Sequence, residues 1–177
     1  MVGHILQNTD IEDCNIVIDI MTKGECISNM EIIPKYITIH NTGNLGMNAY
    51  TNHMHIKYNC EKCLKRGHTQ FIVDDKYIYQ AQIANIKCLH TGTKIGNENS
   101  IGIEICGFRN KERQKKCYEN TIKLIKVLMK YYNISVGNVV RHCDWRESPC
   151  PMWLNSGLYG YTWEWFVFQL KSDKMNI

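Results

Sequence analysis

No stretch of this chain is long and apolar enough to span a bilayer or to form the hydrophobic part of a secretory leader. The longest early run, Ile16-Val17-Ile18-Asp19-Ile20-Met21, is broken by an acid and has no basic flank. The expectation is synthesis in a cytoplasm without a signal peptide, and no membrane partner. The chain also lacks internal repeats, low-complexity tracts and Pro/Gly/Ser-rich linkers, which excludes solenoids and tethered modules. Its 177 residues therefore read as one compact domain over 1–177. Lys and Arg form no dense run and the net charge is only +4, so nucleic acid is not an expected partner, although a polyanionic surface would suit the charge. A second Cys-x-x-Cys pair is missing too. Cys60-Glu-Lys-Cys63 stands alone, which excludes a zinc ribbon and leaves two buried helix cysteines as the expectation. What is present is ordinary globular composition, 44% hydrophobic and 21% charged. The nine cysteines, an odd number without a leader, read as core thiols or metal ligands rather than a disulfide framework.

The first ~30 residues show no sustained period and predict no definite element. Tyr36 to His40 alternate as a strand, with Thr38 and His40 on one face, and Asn41-Thr42-Gly43-Asn44 then predicts a turn. A helical period runs from Met47 to Lys65 through Ala49, His53, Ile56, Cys60, Cys63 and Leu64. Within it His53 and His55 point to different sides, so they do not share an ion. Thr69 to Asp74 and Tyr77 to Gln80 predict a hairpin, and Ser100 to Ile105 a strand. Lys111 to Asn133 is the clearest helix, with its lysines on a solvated face. Val139 to His142 is a further short strand, and Thr162 caps a last helix. Alternating strands and helices predict an α/β fold, a central sheet flanked by helices.

Chemistry concentrates at three places. His40 ends one strand, His142 ends another, and Cys150 follows in Arg-His-Cys-Asp-Trp-Arg-Glu-Ser-Pro-Cys-Pro. Imidazole nitrogen and thiolate sulfur are the donors zinc prefers, and three protein ligands leave a tetrahedral ion one open position for water. Such a site is hydrolytic if the fold assembles it, and it needs a group to carry protons. Glu104 is the candidate, because an acid in the middle of a buried strand is costly unless it is paired or used. Cys106 and Cys143 flank key residues and read as packing thiols.

The ordered motifs Ile-His40-Asn-Thr-Gly, Phe-Ile-Val-Asp-Asp-Lys-Tyr-Ile-Tyr-Gln, His90-Thr-Gly, Asn99-Ser-Ile-Gly-Ile-Glu-Ile-Cys and Asn138-Val-Val-Arg-His142 with Cys150-Pro resemble those of type-2, zinc-dependent N-acetylmuramoyl-L-alanine amidases. These are the amidases of phage endolysins and bacterial autolysins, related to peptidoglycan recognition proteins. The resemblance covers about residues 36–153. It implies a mixed sheet with a zinc-holding groove and His40, His142 and Cys150 as zinc ligands. It also implies cleavage of the amide between the lactyl group of N-acetylmuramic acid and L-alanine. Peptidoglycan is then the partner, reached after lysis-associated release, and no wall-binding module is recognised. Glu104 matches the glutamate many members carry.

The chain departs from the family where relatives carry lysine two residues before the ligand cysteine and an aromatic–histidine pair ahead of the hairpin. Here Ser148, Thr69 and Gln70 stand instead, leaving Arg146, His90 or the metal to stabilise developing negative charge. Thr42, Thr69, His90 and Ser148 are the expected substrate-binding residues, with turn capping as the alternative for Thr42 and a solvent-facing loop position before Gly92 as the alternative for His90. Two other functions compete. A recognition module that binds muropeptides without cutting them would typically lack a zinc ligand, and none is missing. A cysteine hydrolase would be inactivated by alkylation and indifferent to chelation.

Overall fold

The computed structural model describes residues 6–7, 11, 13–22, 27–61 and 67–172. Its centre is a mixed six-stranded sheet built from β1 (Asn15–Ile18), β2 (Tyr36–Leu45), β3 (Phe71–Val73), β4 (Tyr77–Gln80), β5 (Ser100–Gly107) and β6 (Val139–Arg141), in the order β1-β4-β3-β5-β2-β6. The predicted hairpin is the antiparallel pair β3–β4, and the other pairings are parallel. Near-continuous β-branched runs suit parallel strands covered on both faces. Ile37 and Ile39 of β2 and Ile101, Ile103 and Ile105 of β5 are accordingly all fully buried.

The predicted long helix is α3 (Lys111–Tyr132), which buries Tyr118, Ile122, Ile125 and Leu128. Asn110 caps it by accepting from the Arg113 N–H, and Asn133 ends it in the left-handed conformation (φ 54°), which asparagine tolerates. Of its lysines, Lys115 and Lys116 pair with Glu119 one turn on. The predicted last helix is α5 (Trp163–Lys171), and Thr162 does cap it, accepting from the Trp165 N–H. Two short helices, α2 (Lys94–Asn99) and α4 (Met152–Asn155), are too brief to carry a periodic signal. No helix among the described residues is long and apolar enough to cross a membrane.

Three expectations change. β2 does not end in a turn at Asn41–Asn44; it runs on to Leu45, its register against β5 slipping between Asn41 and Leu45. The slip lets the strand bend without ending, and Gly43 (φ 73°) supplies the backbone conformation it needs. The helix expected over Met47–Lys65 is α1 (Ala49–Glu61), and Cys63 and Leu64 lie outside the described residues. Its inner face is more polar than the apolar period suggests, because Asn52, His53 and Asn59 are buried there. His53 is held by Asp19 at 2.8 Å, whereas His55 is exposed. Cys60 is buried as expected but is disulfide-bonded, not a free thiol.

Candidate metal centre and active site

Strand register assembles the site. Ile39 pairs with Arg141 and His40 with Glu104, so the residue after β6, His142, arrives beside His40, and the Glu104 carboxylate comes from the strand on the other side. The imidazole centroids of His40 and His142 are 4.6 Å apart. Cys150 approaches from a loop 110 residues from His40 in sequence, its Sγ 3.9 Å from His40 Nδ1. One donor atom from each of His40, His142 and Cys150 lies within 4.8 Å of the others. The three expected ligands therefore converge.

Each of the three residues is held from behind. Asn41 clamps the cysteine loop: its N–H donates to Cys150 Sγ (3.3 Å), while its side-chain oxygen accepts from the Trp153 N–H (3.1 Å). His40 Nε2 lies 3.0 Å from His90 Nδ1, and His90 Nε2 lies 3.4 Å from the Ser100 carbonyl oxygen. With Nδ1 of His40 turned toward Cys150, a consistent proton arrangement follows. His40 Nε2–H donates to His90 Nδ1, and His90 Nε2–H donates toward Ser100. A backbone group of Thr91 hydrogen-bonds the His142 ring, whose Nε2 is buried and has no partner among the described residues. An orphaned imidazole nitrogen beside a second imidazole and a thiol is a donor set that fits zinc.

Burial sets the protonation states. It pushes His40 well below the usual imidazole range, with His90 and His142 adding to the effect, and takes His90 down to about 3, so these rings are neutral as metal ligation requires. It pushes the Cys150 thiol up to about 12, and a bound cation would reverse that preference. Burial also raises Glu104 to about 7, its Oε2 without a partner among the described residues. The alternative for Glu104, an ion pair with Lys or Arg, does not occur among the described residues.

The triad and Glu104 open into a cavity of about 730 Å³ whose wall includes Thr69, His90, Arg146 and Ser148. Thr69 is buried and its hydroxyl donates to the Phe71 carbonyl. Ser148 Oγ accepts from the Cys150 N–H (3.2 Å), which leaves its own O–H free to donate. Gln70 is a strut, accepting from the Gly102 N–H (2.7 Å) and donating to the Ile86 carbonyl (2.8 Å). Gly102 has to be glycine: a Cβ there would sit 2.8 Å from Thr69 and 2.9 Å from the His90 ring. Thr42 lies in a neighbouring cavity of about 190 Å³ that meets the first at Glu104, and its hydroxyl accepts from the Asn44 N–H at 3.5 Å. Sequence reasoning missed Asn41 and His68. The first had no signal beyond adjacency to His40, and the second is a lone histidine outside any period.

The sequence profile described as N-acetylmuramoyl-L-alanine amidase matches residues 29–152. Two curated relatives from Bacillus subtilis (strain 168) are N-acetylmuramoyl-L-alanine amidase XlyA, 40% identical over 67% of this chain and 39% of its own length, and N-acetylmuramoyl-L-alanine amidase CwlH, 38% identical over 67% and 47%. The matched region thus spans less than half the length of these relatives. Among solved structures, the catalytic domain of XlyA superposes with a TM-score of 0.75 at 34% identity, covering 88% of this chain and 99% of that one. PlyL superposes with a TM-score of 0.76 at 27% identity, covering 93% and 99%. With its sheet and its ordered motifs in place and His40, His142 and Cys150 brought together, the chain belongs to the N-acetylmuramoyl-L-alanine amidase family.

Proposed function

We propose that this domain is a zinc-dependent hydrolase of peptidoglycan, cutting the amide between the lactyl group of N-acetylmuramic acid and L-alanine, and that it works on the bacterial cell wall as an endolysin or autolysin. The observation that carries the reading is the convergence of His40, His142 and Cys150 beside the unpaired carboxylate of Glu104 in one cavity. The relatives' names state the same amidase activity.

Zinc bound by these three residues supplies Lewis-acid polarisation of the scissile carbonyl and of a water. Glu104 Oε2 accepts the proton that water loses as its oxygen bonds to the carbonyl carbon. The same carboxyl then delivers that proton to the nitrogen as the carbon–nitrogen bond breaks, leaving a lactyl carboxylic acid and a free L-alanine amine. A carboxyl raised by burial to about 7 exchanges protons readily near neutrality. His90 fixes the His40 ring and lines the cavity. Asn41 steadies the sulfur. Ser148 has a hydroxyl to offer substrate, Thr69 a lone pair, and Thr42 borders the adjoining cavity.

The test is digestion of purified peptidoglycan with and without a chelator, with mass spectrometry of the new ends. Free L-alanine amino termini that vanish on chelation and return with zinc are expected. Muropeptide binding without a new end would instead make the domain a recognition module, and cleavage that survives chelation but not thiol alkylation would make it a cysteine hydrolase.

A further inference from the structure

Among the polar side chains of the cavity wall that the chemistry above leaves unused, His68 is set apart by its burial. His68 is 2% exposed and lines the same cavity as the metal triad and Glu104, yet neither of its ring nitrogens has a hydrogen-bond partner among the described residues. Its neighbours differ. Thr69 and Gln70 spend their side chains on backbone groups, and both nitrogens of His90 are engaged. The backbone cannot easily draw His68 elsewhere, because a Cβ on Gly67 would collide with the Leu89 carbonyl, so this segment is pressed against its neighbour. Two unpaired nitrogens on a buried ring are unfavourable, and a methionine or phenylalanine would fill comparable space without that penalty. His142 Nε2, in the candidate metal centre, shows the same signature, buried and without a partner among the described residues.

Burial holds the His68 ring down to about 4, so at neutral pH it carries no charge and offers one N–H and one lone pair. It cannot match a carboxylate by charge. What it complements is an amide, whose carbonyl accepts and whose N–H donates. We propose that His68 is a substrate-contacting residue that hydrogen-bonds an amide group of the muropeptide entering the cavity, a role that rests on the amidase reading. Amides come from three parts of such a substrate, the acetamido group of the sugar, the lactyl–alanine amide that is cut, and the stem peptide beyond L-alanine.

The experiment compares zinc-loaded wild type, His68→Met and His68→Gln on two substrates, N-acetylmuramic acid bearing the full stem peptide and N-acetylmuramoyl-L-alanine alone. His68→Met is expected to raise Tm, because it removes unpaired buried groups, while kcat/KM falls roughly 10-fold, chiefly through KM, at unchanged zinc content. His68→Gln, itself an amide donor and acceptor, should recover part of the loss. A penalty confined to the full-stem substrate assigns the contact to the peptide beyond L-alanine, and an equal penalty on both assigns it to the part they share, the acetamido group or the lactyl–alanine amide. Should His68→Met not fold, His68→Phe carries the same comparison. Wild-type kcat/KM in the apolar variant, with a higher Tm, would show that the ring only packs and would overturn the proposal alone. No cleavage by the wild type would overturn the amidase reading and this one together.

Discussion

The two walls of the cavity are built on opposite principles. On the side that carries His142, just after β6, and Glu104, in β5, two buried side-chain atoms have no partner among the described residues: His142 Nε2 and Glu104 Oε2. On the facing wall, Thr69, Gln70 and His90 have their polar atoms committed to backbone groups or to His40, and His68 is the exception. The first wall keeps unsatisfied groups for chemistry and the second gives rigidity. Buried polar atoms cost stability when unpaired, and those that line the cavity are the ones a metal or a substrate can complete.

Changes on either wall can break that comparison. The largest effect is expected from Glu104→Gln, which keeps the shape but removes the proton carrier: turnover should fall about 100- to 10,000-fold with zinc content unchanged. Turnover within a few-fold of wild type in metal-replete protein would remove Glu104 from the proton path. A smaller effect is expected from His90→Phe, which deprives His40 Nε2–H of its acceptor. Zinc affinity, read by competition with a chelating dye, should weaken about 10- to 100-fold; an unchanged affinity would mean that the facing wall does not align the ligand. The smallest effect concerns pH. The folded state holds His68 at about 4, below its ordinary 6.5, so the unfolded chain binds the extra proton first and stability is lost as pH falls from about 6.5 toward 4. Between pH 7 and pH 5 this one ring should cost about 2 kcal/mol, and Glu104, shifted upward, acts in the opposite sense. The fall in Tm over that interval should therefore be smaller in His68→Met than in wild type, and equal falls would contradict the buried, neutral state of the ring.

The same contrast explains what could be read from sequence. His40, His142, Cys150 and Glu104 could be singled out because their residue types are chemically distinctive and recur in ordered motifs; no strand period shows that Cys150 reaches the others from a loop. The central strands and α3 were legible from period. The facing wall was not. Gln70 looks like any polar residue before a strand, and only the fold shows that it bridges the Gly102 N–H and the Ile86 carbonyl. The short strand β1 was hidden because four residues carry no reliable period, and its pairing with β4 joins segments some 60 residues apart. The continuation of β2 past Asn41 was masked by turn-forming residues that here serve a register slip. The Cys60 disulfide could not be inferred from spacing, since cysteine count alone does not distinguish a tie from a packed thiol.

The clamp that Asn41 places on the Cys150 loop has a consequence for how the molecule comes apart. His40 and Cys150 lie 110 residues apart along the chain, and a cation gripped by both closes a loop that encloses most of the domain. The unfolded polypeptide would surrender the entropy of that long loop for as long as the ion stayed bound, so opening the fold and releasing the ion become a single cooperative event. Metal escaping into solution would then serve as a clock for global unfolding, readable without any optical probe on the protein itself.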